Sequence, residues 1–477
     1  MTEVGGAGLP EPQAPRPLSL PAMPQHRLGN GLTVITVPRT TLPLVSVTLL
    51  LRVGAAIDPP GRPGVAAMTV TLLSKGARRR GRGGRPGLDM GASALAREAE
   101  GLGGALNSFS GWRSVGVGMT VTSPRLPAAL ALLADMLRTP LLAADELERA
   151  RAQALDGWRV TVSSPSDLAG LLMRRAFWGD SAYGAVAPAA ALKRLRLDDV
   201  RQFHARHARP EVAALVLAGD ISPEHAALLA QQLLGDWPAQ GALLPEVPAT
   251  PPKPIAAPLV LLDMPGSGQA SVLLAAPFVA SDAPDRVVGL VANAVLGGGY
   301  SARLNHAVRI QRGLSYGAFS DVEVFPAGGM LVARAQTQHA GAGELLHLMR
   351  TELSQMAVTP PSAAELGARQ AALVGSFARQ LETTGGLAQL VANQWTQGRP
   401  LAALAQHVGQ LLAVSPDDVQ RFAQTHWAPE RWRAVVAADL TAAGDSLSMA
   451  ARPQALRLDL AQLDLEQPGL LAKPPGS

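Results

Sequence analysis

The stretch DDVRQFHARHARPEVAALVLAGDI, residues 198–221, recurs at residues 417–440 as DDVQRFAQTHWAPERWRAVVAADL. The two copies share an Asp pair, a Phe, a His, a Pro-Glu pair and a later Asp at equal spacing. At the same offset, ADELERARAQALDGW at residues 144–158 aligns with AAELGARQAALVGSF at residues 363–377. Because two distant segments agree on one offset, we predict a tandem duplication of a module of about 220 residues, a period too long for a solenoid.

Both halves show the same order of secondary-structure patterns. The first half opens with two segments typical of strands, GLTVITVP and LVSVTLLLRVG, continues with amphipathic helices and closes with the strand pattern AALVLAG. Adjacent strand pairs and runs of helices favour an α+β fold. We therefore expect two homologous α/β-sandwich modules in tandem, each a mostly antiparallel sheet covered by helices.

Changes in composition predict where the modules begin and end. Residues 1–24 are rich in proline and glycine and read as a flexible N-terminal arm. The first module is expected at residues 25–237 and the second at residues 259–477. Between them, residues 238–258 are proline-rich without periodic patterning, which is typical of a linker.

Composition also excludes several classes of protein. The 477 residues include no cysteine, so disulfides, a thiol nucleophile and thiolate metal ligands are ruled out. A net charge of +5 is small for this length, and no nucleic-acid partner is expected. No apolar run reaches the roughly 20 residues of a membrane span, and the N-terminus lacks the apolar core of a signal peptide. We expect a soluble protein without a membrane span, either cytoplasmic or, if a signal sequence has been removed, periplasmic.

A candidate polar site lies in LGGGYSARLNHAVRIQRGLSYGAFS, residues 296–320. Residues 302–312 show helical spacing, Gly313 suits a left-handed helix cap, and the sequence from Tyr316 alternates as a strand does. A helix that turns directly into a strand would bring Arg309 beside Tyr316, so that a guanidinium and a phenol could donate to one carbonyl oxygen. The spacing alone also fits a cation that complements the helix dipole and an aromatic ring that packs.

These motifs, in this order, resemble the insulinase or pitrilysin (M16-type) clan of zinc peptidases. The clan includes mitochondrial processing peptidase and the core proteins of the cytochrome bc1 complex. The resemblance covers nearly the whole chain and rests on RLGNGLTVITVP, GAAIDPPGRPGVAAMTVTLLSKGA, GGALNSF and LGGGYSARLNHAVRIQRGLSY. It implies that the two modules close over a cavity as a clamshell.

The resemblance also implies where a zinc site would lie, on a helix with the motif His-x-x-Glu-His and with a later Glu as a further ligand. In the corresponding helix, GVAAMTVTLLSKGA, those positions are Ala67, Val70 and Thr71, and the later Glu falls at about Gly157. All four vestigial positions lack a metal-binding side chain. We therefore expect no metal bound by this chain.

The histidine distribution supports the same expectation without an alignment. No histidine lies between His26 and His204, so this region cannot supply a His-rich zinc site. His204 and His207 are three residues apart on a predicted helix, but His207 recurs as His426 in the second copy, which favours a structural role.

In active members of the family, the zinc-bearing half cuts, while an Arg and a Tyr at this seven-residue spacing in the other half hold the substrate carbonyl. The resemblance thus implies a non-catalytic, substrate-binding subunit that supplies Arg309 and Tyr316 to a homologous, zinc-bearing partner with an intact His-x-x-Glu-His. This chain would be inactive alone, and the complex would act on peptides, as in mitochondrial processing peptidase. The alternatives are a structural assembly subunit like the bc1 core proteins and a metal-independent peptide-binding module.

Two further segments carry weaker predictions. Gly297, Gly298 and Gly299 match the place of the glycine-rich loop of the processing-peptidase α subunit, and this resemblance implies a substrate or gating loop. The alternative is that this short run only turns the chain. The basic run from Arg78 to Arg85 could contact a partner, but arginine and glycine without aromatic residues are more typical of a solvated loop.

Overall fold

The computed structural model describes residues 18–81, 87–241, 252–447, 455–467 and 469–471. Residues 1–17 of the predicted N-terminal arm, residues 82–86 of the basic run and residues 242–251 of the predicted linker lie outside the described residues. The predicted module boundaries stay predictions.

Eight strands and eight α-helices follow one another in the described part of the first half. In chain order they are β1 (Gln25–Arg27), β2 (Thr33–Pro38), β3 (Leu44–Leu51), α1 (Val65–Leu73), β4 (Gly76–Arg79), β5 (Leu88–Gly91), α2 (Ala92–Gly101), β6 (Asn107–Ser110), β7 (Val115–Thr122), α3 (Leu126–Arg138), α4 (Ala144–Ser163), α5 (Pro165–Trp178), α6 (Ala189–Arg194), α7 (Leu197–His207), β8 (Ala213–Gly219) and α8 (Pro223–Leu234).

The described part of the second half repeats this sequence of strands and helices in outline. Its elements are β9 (Leu259–Asp263), β10 (Ala270–Phe278), α9 (Arg286–Gly297), α10 (Arg303–Asn305), β11 (Ala318–Phe325), β12 (Gly328–Thr337), α11 (Ala342–Val358), α12 (Ala363–Leu381), α13 (Thr384–Thr396), α14 (His407–Ala413), α15 (Pro416–His426), β13 (Arg433–Ala438), α16 (Leu440–Ala443) and β14 (Ala455–Asp459).

Each half builds one six-stranded sheet. The first has the strand order β1-β2-β8-β3-β7-β6, and the second has the order β11-β12-β10-β13-β9-β14. In the first sheet every neighbouring pair is antiparallel except β2 and β8. In the second sheet β9 is parallel to both β13 and β14, and the other pairs are antiparallel. The predicted mostly antiparallel sheets are confirmed.

Both faces of each sheet are covered by helices, because alternate strand residues are apolar on both sides. On β8, Leu215 and Leu217 pack with α3 and α8, whereas Val216 belongs to the apolar cluster on the opposite face. The second sheet packs one face against α9, α11 and α15 in the same way. The predicted sandwich of sheet and helices is confirmed.

The remaining sheet faces are covered by helices that come from the other half. Leu168 and Leu172 of α5, in the first half, belong to the same buried cluster as Leu273 and Val435 of the second sheet. Reciprocally, residues of α12 and α13 in the second half pack against alternate residues of β2, β3 and β8 in the first sheet. The two halves therefore share their apolar cores, and burial of these faces favours the joined form.

Among the helices of the described residues, none is both long enough and apolar enough to cross a membrane.

Candidate functional site

A cavity of about 1570 Å³ lies where α4 and α5 of the first half face the second half's sheet. Its described lining includes two acids, Asp167 and Glu323, and two bases, Arg174 and Arg334. Glutamines, serines and threonines supply further polar groups, and Leu171, Leu273, Phe319, Met330 and Val332 are among its apolar side chains. A cavity with balanced charge and both polar and apolar walls suits a ligand that carries many amides and mixed side chains, such as a peptide.

Arg174 joins the two halves at the wall of this cavity. Its guanidinium forms an ion pair with Glu323 of β11, and both side chains are partly buried. Its guanidinium carbon also lies 4.8 Å from the centroid of the Trp112 ring, and Nη1 donates a hydrogen bond to the carbonyl oxygen of Tyr183 at 3.3 Å. Arg174 lies on α5 of the first half and pairs with β11 of the second half. It therefore helps to hold these two elements together at the cavity.

Tyr316 lines the cavity, as a substrate-binding residue would. Its side chain is 91% exposed, so the phenol is free to meet a ligand. Gly313, with φ at +62°, provides the left-handed helix end that the sequence predicts. The following strand, however, begins at Ala318 and not at Tyr316, so that Tyr316 belongs to the connecting segment.

Arg309 is not among the residues that line the cavity. Its guanidinium carbon lies 5.4 Å from the centroid of the Tyr300 ring. After α10, residues His306–Gln311 form a π-helix where the spacing predicts an α-helix, and its wider turn changes the direction of each side chain. The substrate-binding role of the pair stays a prediction.

Asn305 holds this region together from inside. It is fully buried, and its Nδ2 donates to the carbonyl oxygen of Tyr300 at 2.6 Å. Its Oδ1 accepts from the backbone N–H of Ala318 at 3.1 Å. One side chain thus ties the end of the glycine run to the start of β11.

The three glycines of the predicted substrate or gating loop make close contacts at the end of α9. A Cβ on Gly297 would lie 2.4 Å from Oγ of Ser320, so only glycine allows the helix to approach β11 here. A Cβ on Gly298 would clash with Ala294, and one on Gly299 would come within 3.2 Å of Arg369. These contacts give the run a packing reason, and a role in substrate contact stays a prediction.

The vestigial zinc positions lie on α1 and α4, which pack against each other. Ala67 is exposed, Val70 is buried in the first half's core, and the Thr71 hydroxyl donates to the carbonyl oxygen of Ala67 at 3.0 Å. Gly157 is exposed on α4, with open space where a Cβ would be. Among the described residues, no group of three or more His, Asp or Glu side chains is arranged to hold a metal ion. The residues at this site do not fit a zinc ion.

The two histidines of the duplicated segment make the same ring contact. His207 packs against Phe203 at a centroid distance of 4.7 Å, and His426 packs against Phe422 at 4.6 Å. Burial and the charges of nearby arginines lower the pKa of His207 to about 4. Nε2 of His426 instead lies within hydrogen-bonding distance of Oδ2 of Asp285, at 2.7 Å. The shared ring contact supports the predicted structural role.

Two family profiles match the chain, and together they cover more than half of it. The profile described as insulinase (peptidase family M16) matches residues 33–185, and that of the peptidase M16 inactive domain matches residues 194–373. The chain belongs to the M16 peptidase family.

Individual relatives carry contrasting names. An uncharacterized zinc protease of Streptomyces coelicolor is 26% identical over 405 residues, which is 83% of this chain and 85% of that protein. A non-peptidase homolog of Helicobacter pylori is 23% identical over 393 residues, which is 81% of this chain and 87% of that one. The crystal structure of a peptidase M16 inactive domain from Pseudomonas fluorescens superposes with a TM-score of 0.79 at 24% identity, covering 87% of this chain and 98% of that chain. The last likeness confirms the fold.

Several residues of the site are not predicted by the sequence analysis. Arg174 meets Glu323 only when α5 crosses to the second sheet, and Asn305 separately bonds Tyr300 and Ala318. An arginine on an amphipathic helix gives no sign of a partner that lies 149 positions away in the chain. For Asn305, the sequence gives one indication: a polar residue within an apolar helical stripe is expected to be buried and hydrogen-bonded.

Proposed function

We propose that this chain is the non-catalytic, substrate-binding subunit of a heterodimeric zinc metalloendopeptidase. It supplies Arg309 and Tyr316 to the active site of a homologous partner subunit that carries zinc. The observation that carries the proposal is the position of Tyr316: a free phenol in the wall of a peptide-sized cavity, in a chain whose own zinc positions cannot bind metal.

The residue types at the vestigial positions support the non-catalytic part of the proposal. A methyl group, an isopropyl group and a hydroxyl replace two imidazoles and a carboxylate, and the fourth position has no side chain. None of them can ligate zinc in the usual way or act as a general base for a bound water. Cleavage by a complex would therefore depend on the metal of another subunit.

The chemistry of the Arg and Tyr side chains supports the substrate-binding part. Peptide hydrolysis places negative charge on the former carbonyl oxygen, and a preorganised guanidinium and phenol stabilise such an oxygen by donating hydrogen bonds. Arg309 has no ion-pair partner among the described residues, so its donors stay free for a ligand. Closure of the two subunits would have to bring Arg309 and Tyr316 to one substrate carbonyl.

Co-purification from the native host tests this function. We expect the chain to bring with it a homologous protein that contains His-x-x-Glu-His, and the mixture to hydrolyse unfolded peptides until a chelator is added. The chain purified alone should neither cleave peptides nor retain stoichiometric zinc. Zinc-dependent cleavage by the isolated chain would contradict the proposal.

The same experiment separates the two alternatives. A structural assembly subunit would co-purify with a large complex whose activity is unaffected by changes at Arg309 and Tyr316. A metal-independent peptide-binding module would bind peptides alone and show no zinc-bearing partner. Either result would replace the proposed function.

A further inference from the structure

Tyr300 is an exposed aromatic side chain placed between the cavity and Arg309. Its ring is 68% exposed and meets the Phe319 ring edge-on, with centroids 5.5 Å apart and planes at 89°. Phe319 in turn lines the cavity. The guanidinium of Arg309 is thus connected to the cavity wall through two aromatic rings in contact.

The surroundings of Arg309 differ from those of its neighbours on the same segment. Arg303 pairs with Glu365 at 2.8 Å, and Arg312 pairs with Glu344. Arg309 forms no ion pair among the described residues, and its guanidinium lies over the Tyr300 ring. An aromatic face attracts a guanidinium without occupying its N–H donors, whereas a carboxylate would occupy them and neutralise the charge. A ring in this place orders the side chain and leaves its hydrogen-bonding capacity for a ligand.

The position of Tyr300 is itself fixed from two sides. Asn305 accepts and donates hydrogen bonds that tie the Tyr300 carbonyl to the backbone of Ala318. On the ring side, Phe319 is confined by Gly317, where a Cβ would lie 2.5 Å from the Phe319 ring. The Tyr300 backbone is therefore held by Asn305, and its ring rests on the edge contact with Phe319.

We propose that Tyr300 is a positioning residue, which orders the Arg309 guanidinium while leaving its N–H groups free to bind a peptide carbonyl. This inference rests on the proposed function, because it assumes that Arg309 contacts the substrate. It adds Tyr300 and its support by Phe319 and Asn305 to the substrate-binding site.

A double-mutant cycle tests the inference on the full chain. The probe is fluorescein-labelled, reduced and carboxymethylated α-lactalbumin, which stays unfolded in buffer, and binding is measured by fluorescence anisotropy. We expect Arg309→Ala to weaken binding about tenfold or more, as loss of a charged hydrogen bond does. Tyr300→Leu should weaken it about two- to fivefold, the range of an exposed cation–π contact. In the Arg309→Ala background, Tyr300→Leu should have no further effect.

Two control variants separate positioning from general damage. Tyr300→Phe keeps the aromatic face and should bind as the unchanged chain does. Leu412→Ala removes an exposed apolar side chain of α14 that is 55% exposed and far from the proposed site in sequence, and it should also leave binding unchanged.

The outcomes distinguish the inference from the function on which it rests. Suppose that Arg309→Ala weakens binding. If Tyr300→Leu alone then leaves the Kd unchanged, or if it weakens binding by the same factor with and without Arg309, the positioning role is overturned and the proposed function stands. If Tyr300→Phe is as weak as Tyr300→Leu, the hydroxyl and not the ring face is responsible, which also overturns it. If Arg309→Ala binds normally, Arg309 is no substrate-binding residue, and both the inference and that part of the proposed function fail.

Discussion

At the scale of single residues, Ala67 and Thr71 lie one helical turn apart on α1, at the positions that the sequence predicts to be counterparts of two zinc-binding histidines. Ala67 is exposed and Thr71 is half-buried, and the hydrogen bond from the Thr71 hydroxyl to the Ala67 carbonyl shows that both lie on one face. The helix therefore places both positions on one face, but neither side chain can bind zinc.

Ala67→His combined with Thr71→His should create a zinc-binding pair. Two imidazoles at this spacing can ligate one ion. At a zinc concentration of about 100 times Kd, the free energy of unfolding of the double variant should rise by about 2.7 kcal/mol. Urea unfolding with and without zinc measures this, and Ala67→His alone serves as the control. A double variant with no zinc-dependent gain would show that these positions are not the counterparts of the zinc ligands.

His207 should make the stability of the fold depend on pH. Its side chain is 5% exposed, and burial followed by the charges of Arg206 and Arg209 lowers its pKa from 6.5 to about 4. Between these values the unfolded chain binds a proton that the folded chain does not, so stability is lost as pH falls from about 6.5 to 4. The loss amounts to about 3 kcal/mol and levels off at lower pH.

A comparison with His207→Gln isolates this contribution. Asp58 acts in the opposite direction, because burial raises its pKa from 3.8 to about 6, so its contribution is lost as pH rises through that range. The Asp58 effect is common to both proteins and cancels in the difference. Denaturant unfolding from pH 7 to pH 4 should show the smaller decline in His207→Gln. Parallel curves for the two proteins would mean that the pKa of His207 is the same in the folded and the unfolded chain, which would contradict the prediction.

At the scale of helices and strands, the chief finding is the exchange of helices between the halves. Leu387 of α13 belongs to the second half, but it is buried in the cluster that covers β2, β3 and β8 of the first sheet. Leu168 of α5 makes the reverse contribution to the second sheet. The stability of each half therefore depends on side chains of the other.

Leu387→Ala should destabilise the protein by about 2–5 kcal/mol, since it leaves a cavity in a well-packed core. Urea unfolding gives the change in free energy, and hydrogen exchange gives its location. The largest loss of protection should appear in β2 and β8 of the first half. The matched control, Leu412→Ala at an exposed site of α14, should stay within about 0.5 kcal/mol of the unchanged protein. A loss of protection confined to the second half would contradict the exchange.

The sequence predicts the elements well because their periodicity is local. One of the predicted amphipathic helices is found at Ala144–Ser163, and the predicted strand AALVLAG is found at Ala213–Gly219. The helix exchange is not predicted, because an apolar stripe shows that a helix is buried but not which sheet buries it. The helical spacing predicts an α-helix through Arg309, whereas residues His306–Gln311 form a π-helix, whose turn is wider.

At the scale of the whole molecule, the shared cores make the two halves one cooperative unit around the cavity. Helix α5 crosses to the second sheet and forms one wall, and the segment that carries Tyr316 forms part of the other. The duplication predicts two similar modules, whereas the cavity depends on how the modules are joined. This explains why the sequence identifies Tyr316 as a candidate but not Arg174 and Glu323, which connect the walls.

The most direct measurement of the central claim is peptide turnover by the reconstituted complex of this chain with its zinc-bearing partner. Variants Arg309→Ala and Tyr316→Phe are compared with the unchanged chain, and assembly of each complex is checked by size-exclusion chromatography. We predict that each change lowers kcat by about 10² to 10³, the usual effect of removing one oxyanion donor, while the complex still assembles. Turnover that is unchanged in the assembled double variant would contradict the claim that this chain supplies half of the active site.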